Sequence, residues 1–128
     1  VTMLVALAAA TTVALTPMLA TLLADQAANA VDDGNPRRAA ELSAQSMDLV
    51  PSLETLYVQV IALQQQGDKP AARDALRANE QVWLHQLDGL LLAQPLLGDD
   101  PEYADRINSR IERLQTLQDS RTQGNPPV

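Results

Sequence analysis

Gly34-Asn35-Pro36, Gly67-Asp68-Lys69-Pro70 and Gly98-Asp99-Asp100-Pro101 decide how this chain reads, because similar turn chemistry recurs at separations of 33 and 31 residues. A glycine can close one helix in the left-handed conformation, an Asn or Asp can cap the next, and a proline suits that helix's first turn. The pattern is helix, tight turn, helix, repeated. Between the turns the apolar residues follow helical spacing: Leu53, Leu56, Tyr57, Val60, Ile61 and Leu63 in one segment, Tyr103, Ile107, Ile111, Leu114 and Leu117 in another. Each helix is apolar on one side, and a pair of such helices buries its stripe by stacking on the next pair. The expected class is therefore all-α, built of stacked antiparallel helix hairpins as a short solenoid and preceded by an apolar N-terminal helix.

The spacing predicts helices near 3–16, 18–32, 37–49, 53–66, 70–94 and 101–118. Neither Gly nor Pro interrupts Ala71 to Leu87, so this stretch reads as one long helix, with Asn79 the single place where it could divide. The domain organisation that follows is an apolar helix over 1–24, a helical-repeat domain over 25–119 and a polar tail over 120–128, which carries Gly124-Asn125-Pro126-Pro127.

Composition narrows the function classes. Alanine and leucine supply 41 of 128 residues, and the formal net charge is −7. An acidic surface repels phosphate backbones, so nucleic acid is excluded as a partner. With one His, no Cys, one Trp, two Tyr and no Phe, the chain has neither the usual zinc ligands nor a base-stacking platform, and no cofactor or metal is expected. His85 has no nucleophile at a recognisable spacing, which argues against an enzyme. Trp83 reads as a packing anchor. The acids Asp99, Asp100, Glu102 and Asp105 read as helix-start residues complementing the dipole, and no calcium-loop pattern accompanies them. Arg106, Arg110 and Arg113, interleaved with Glu102, Asp105 and Glu112, read as a solvated ion-paired stripe. The dense run Leu87, Leu90, Leu91, Leu92, Leu96 and Leu97 reads equally as a central core helix or as a dimer seam.

The first 24 residues contain no charge. A helix of that length reaches about 36 Å, against a hydrocarbon core of about 30 Å. Seven Ala and five Thr make it only mildly apolar, and Pro17 would kink a helix or mark its end. Three readings stay open: a membrane anchor, a signal peptide cleaved after Ala28-Asn29-Ala30, or a buried Ala/Leu helix. The first makes the chain membrane-associated with its side undetermined, although Arg37 and Arg38 favour a cytoplasmic C-terminal domain. The second makes it periplasmic.

The run from Gly34 through Ala39 to Pro51 resembles the second helix and closing proline of a tetratricopeptide repeat (TPR), and Gly67-Asp68 with Ala72 places a second copy at the same offset. The resemblance covers about residues 20–86, with a degenerate third unit to about 118; Gln26 and Gln59 fall where the family favours a large apolar residue, Val60 where it favours a small one, and Leu84 where the closing proline belongs. The resemblance implies a concave groove lined by the first helix of each repeat, which nominates Ala28, Asp32, Tyr57, Ile61, Gln64 and Gln65 as peptide- or protein-binding residues. No Lys or Arg falls on either first helix, so the basic clamp some members use for C-terminal carboxylates is not expected. The function expected is a non-catalytic scaffold, membrane-tethered, that holds another protein or associates with copies of itself. Two alternatives remain. A last membrane helix followed by such a domain also resembles the C-terminal region of some O-antigen ligase and polymerase proteins, and a soluble periplasmic binding protein would follow from signal cleavage.

Overall fold

The computed structural model describes the backbone of residues 2–123 and the side chains of residues 15–122. Among these residues the protein is all-α, with seven helices: α1 (Thr2–Asp32), α2 (Pro36–Leu49), α3 (Leu53–Gln65), α4 (Lys69–Ala78), α5 (Glu80–Trp83), α6 (Leu87–Leu97) and α7 (Ala104–Gln123). Helices adjacent in sequence pack on one another, α1 on α2, α2 on α3, α5 on α6 and α6 on α7, and α1 also reaches α3. The chain divides into two compact units, residues 1–75 and 76–128, with the division inside α4.

The turns that end α1 and α3 share one geometry. Gly34 and Gly67 have φ of 75° and 73°. In each turn the glycine N–H and the next N–H fold back onto the last helical turn: Gly34 to Val31 O and Asn35 to Ala30 O, Gly67 to Gln64 O and Asp68 to Leu63 O. These paired bonds satisfy carbonyls that a helix end leaves open. Asn35 then accepts from Arg38 N, and Asp68 from Ala71 N, so each turn also starts the next helix. The third turn differs. Gly98 is helical at φ −66°, and Asp100 instead accepts from Glu102 N through Oδ1 and from Arg77 through Oδ2, the latter at 2.7 Å.

In the first unit, among the described residues the buried side chains of α1 are all alanines: Ala20, Ala27 and Ala30. Ala30 meets Ala39 of α2 and Ala62 of α3, and this small-residue contact lets three helix backbones approach closely. Ser46 of α2 is buried and donates to Ala20 O at 2.7 Å, fastening α2 to α1. Leu42, Met47, Leu56 and Val60 supply the bulk of the core.

The continuous helix expected over 70–94 is instead three helices. The chain leaves α4 at Asn79, and the open Leu76 carbonyl accepts both Asn79 N at 3.2 Å and the indole Nε1 of Trp83 at 2.7 Å. A second break over 84–86 follows, where Gln86 is extended. Gly89 explains how α6 can return so closely: a Cβ there would lie 2.6 Å from Trp83 Cα. Trp83 is fully buried, packs against Tyr103 with centroids 6.0 Å apart, and anchors a core that includes Leu90, Leu96, Leu97 and Ile107. Of the leucine-rich run, Leu90, Leu96 and Leu97 are core while Leu91 is exposed.

The division expected between residues 16 and 18 is also absent, since α1 runs through Pro17 without a stop. Thr21 Oγ1 donates to the Pro17 carbonyl at 2.9 Å in that turn. At the other end α7 continues to Gln123, and residues 124–128 lie outside those described.

Candidate functional site

Two surfaces have the makings of a site, one in each unit. In the first unit the nominated residues lie on two helices. Ala28 and Asp32 stand four apart on α1, the first half-buried and the second exposed. Tyr57, Ile61 and Gln64 recur at helical spacing on one face of α3, with Gln65 at its edge; Tyr57 is half exposed and the two glutamines are exposed. The α3 residues thus share a face; α3 packs chiefly on α2 and is also reached by α1. None of the six lines either of two hollows in this unit. One, of about 290 Å³, lies where Pro17, Ala20 and Ala24 of α1 meet Ser46, Val50 and Thr55. The other, of about 310 Å³, is bordered by Gln26, Asn29, Arg38 and Leu42.

A feature the sequence reading missed is the sidedness of α1. Leu15, Met18, Leu19 and Leu22 are 54%, 68%, 48% and 53% exposed. They follow the i, i+3, i+4, i+7 spacing of one helix face, and that periodicity was available in the sequence once Ala and Leu are counted as different sizes. Over residues 15–32 Ala20, Ala27 and Ala30 turn inward and these four large residues outward, while Leu23 and Val31 are half-buried. Leu49 and Val50, at the corner between α2 and α3, are also exposed, and Val50 shares the hollow with Pro17.

Among the described residues no helix is long and apolar enough to cross a membrane. The uncharged segment 1–24 falls for its greater part outside the residues whose side chains are described. Its backbone is helical from Thr2 onward.

In the second unit His85 is exposed and its Nδ1 lies 3.1 Å from Arg110 Nη1. A guanidinium only donates, so Nδ1 accepts and the ring proton sits on Nε2. Arg106 pairs with Glu80 of α5 and lies 5.5 Å over the Tyr103 ring. Of the three arginines expected to form a solvated, ion-paired stripe, Arg106 is paired with a carboxylate of another helix and Arg110 meets His85 in the break before α6. Among the described residues no group of three or more His, Cys, Asp or Glu side chains is placed to hold a metal ion. Asp100, from the acidic run, is engaged by Arg77 and Glu102 N.

No protein-family model matches the chain, and no curated protein or solved structure matches it.

Proposed function

We propose that this chain is a non-catalytic interaction module, a short TPR-like helical array held at a membrane by its first helix, whose task is to dock another protein or a second copy of itself. The inverted sidedness of α1 carries this reading. An ordinary surface helix buries its leucines, whereas α1 seats Ala20, Ala27 and Ala30 against its neighbours and presents Leu15, Met18, Leu19 and Leu22 outward. Small residues at helix contacts and large apolar ones outside are the arrangement of helices that live in lipid or receive another helix. Length supports the same conclusion. At 31 residues α1 is a rod of about 46 Å, while α2 at 14 residues reaches about 21 Å. A long part of α1 therefore has no counterpart in the helix it packs against.

The repeat character is supported by two turns of one geometry, 33 residues apart, each followed after five residues by a fully buried alanine, Ala39 and Ala72. In such an array the exposed face of α3, with Tyr57, Ile61, Gln64 and Gln65, together with Ala28 and Asp32 of α1, is the docking surface.

The test is membrane fractionation of the chain expressed with its native upstream sequence, followed by carbonate extraction and determination of the N-terminus. An intact, carbonate-resistant chain is the expected result. A monomeric product found wholly in the soluble fraction overturns the tether.

A further inference from the structure

The two flanks of α7 carry opposite charge. Asp105, Glu112 and Asp119 recur every seven residues on one side, whereas Arg110, Arg113 and Arg121 fall on another with Leu114 and Leu117 beside them. On that arginine side the second unit has a groove of about 370 Å³ bordered by His85, Ser109, Arg110, Arg113, Leu114 and Leu117. An adjoining hollow of about 320 Å³ shares His85, Leu114 and Leu117 and extends it to Leu87, Gln118 and Arg121. No carboxylate borders either one. In a chain of net charge −7 this is a local cationic strip over an apolar floor. Leu117 is 54% exposed, and among the described residues Arg113 and Arg121 meet no carboxylate.

We infer that this groove is a docking site for an acidic amphipathic helix of another protein, its apolar side chains seated on Leu87, Leu114 and Leu117 and its carboxylates held by Arg110, Arg113 and Arg121. Charge complementarity decides the occupant. A second copy meeting this face about a two-fold axis presents the same three arginines and is repelled, because such an interface sets a patch against itself. An arginine fork holds a carboxylate through two parallel hydrogen bonds, and the leucine floor gives a helix the apolar anchors it needs at i, i+3, i+4 and i+7. His85 orients the site by accepting from Arg110, which fixes that guanidinium at the groove wall. The site lies wholly within residues 76–128 and does not rest on the tether or on the α1 and α3 residues proposed above.

The experiment titrates the full chain, in an uncharged detergent, with a fluorescent helical peptide of about 16 residues carrying Leu at i, i+3, i+4 and i+7 and Glu on the flanks. A control peptide has Lys for every Glu. Saturable binding of the Glu peptide that weakens with salt, is absent for the Lys peptide and falls about tenfold or more in Arg110→Gln/Arg113→Gln is the expected result. The circular dichroism and Trp83 emission of that variant, unchanged from the parent, establish that it folds; Leu117→Ser, if the Gln pair does not, gives the same reading through the floor. Equal binding of both peptides, unaltered binding by the folded variant, or no binding of the Glu peptide overturns the proposal. So does displacement by sulfate at the peptide's own concentration, which reads as a small-anion site, or a dimer of the parent chain in sedimentation that Arg113→Glu dissolves. Membrane fractionation is not among these readouts, so failure here leaves the tether standing and the reverse holds as well.

Discussion

Gln59 is the residue at which local chemistry and position disagree most sharply. It sits half-buried on α3, and its side-chain oxygen is fully enclosed with no hydrogen-bond partner among the described residues. A buried acceptor left unmatched costs about 1–3 kcal/mol. Gln59→Leu, which keeps the volume and removes the orphan, is expected to raise the stability of the chain by about 1 kcal/mol, read as a shift in the urea midpoint at unchanged slope. A lower midpoint would mean that the oxygen has a partner in solution. The opposite sign is expected at Ala39, fully buried against Ala30 and Ala62. Ala39→Leu inserts a branched side chain where three backbones meet, and a loss of about 1–3 kcal/mol is expected in the same titration. The close contact itself would be in doubt if Leu were accepted there at no cost.

At the scale of elements, the turns and the broken stretch 70–94 make separate claims. Gly34 holds φ at 75°, and a Cβ placed on it would meet nothing within 4 Å. The cost of Gly34→Ala is therefore conformational alone, about 1–2 kcal/mol, and Gly67→Ala at φ 73° should match it within error. Unequal costs would show that the two turns are not copies of one motif. Gly89 is held by contact and not by φ. Gly89→Ala brings a methyl onto the Trp83 backbone, so α6 must move away from α5. Because Trp83 is the chain's one tryptophan and is fully buried, this variant is expected to shift its emission to the red and to weaken the Leu76 hydrogen bond. An unmoved emission maximum would show that α6 accommodates the methyl without displacement.

For the whole molecule, charge is the property that the sequence states most directly. Sixteen acids against nine bases give a pI of about 4.4, and colloidal repulsion vanishes where net charge does. The chain is expected to be least soluble near pH 4.4 and to recover on either side, with turbidity against pH as the measure. A minimum displaced well above that value would mean that apolar association through the α1 face, not net charge, governs its solubility.

The sequence by itself determined the helical class, the close of α1 and α3 and the start of α2 and α4, because these depend on residues in contact along the chain. Gly34, Asn35, Gly67 and Asp68 act within a few residues of themselves, and turn chemistry of that range is written locally. The burial of Trp83, read as a packing anchor, followed from its size. Three outcomes required the tertiary structure. The breaks at Asn79 and Gln86 have no Gly or Pro between them to announce a turn; they exist because the Trp83 indole reaches the Leu76 carbonyl and Gly89 admits the Trp83 backbone, contacts six or seven residues apart. Pro17 reads as a boundary in isolation, yet α1 passes through it and is fastened to α2 three residues later, where Ser46 bonds the Ala20 carbonyl. The groove beside α7 emerges only when His85, sequence-distant by 25 residues, is set against Arg110. Local codes fix where helices begin and end when the capping group is a neighbour; when it is a side chain from another element, only packing decides.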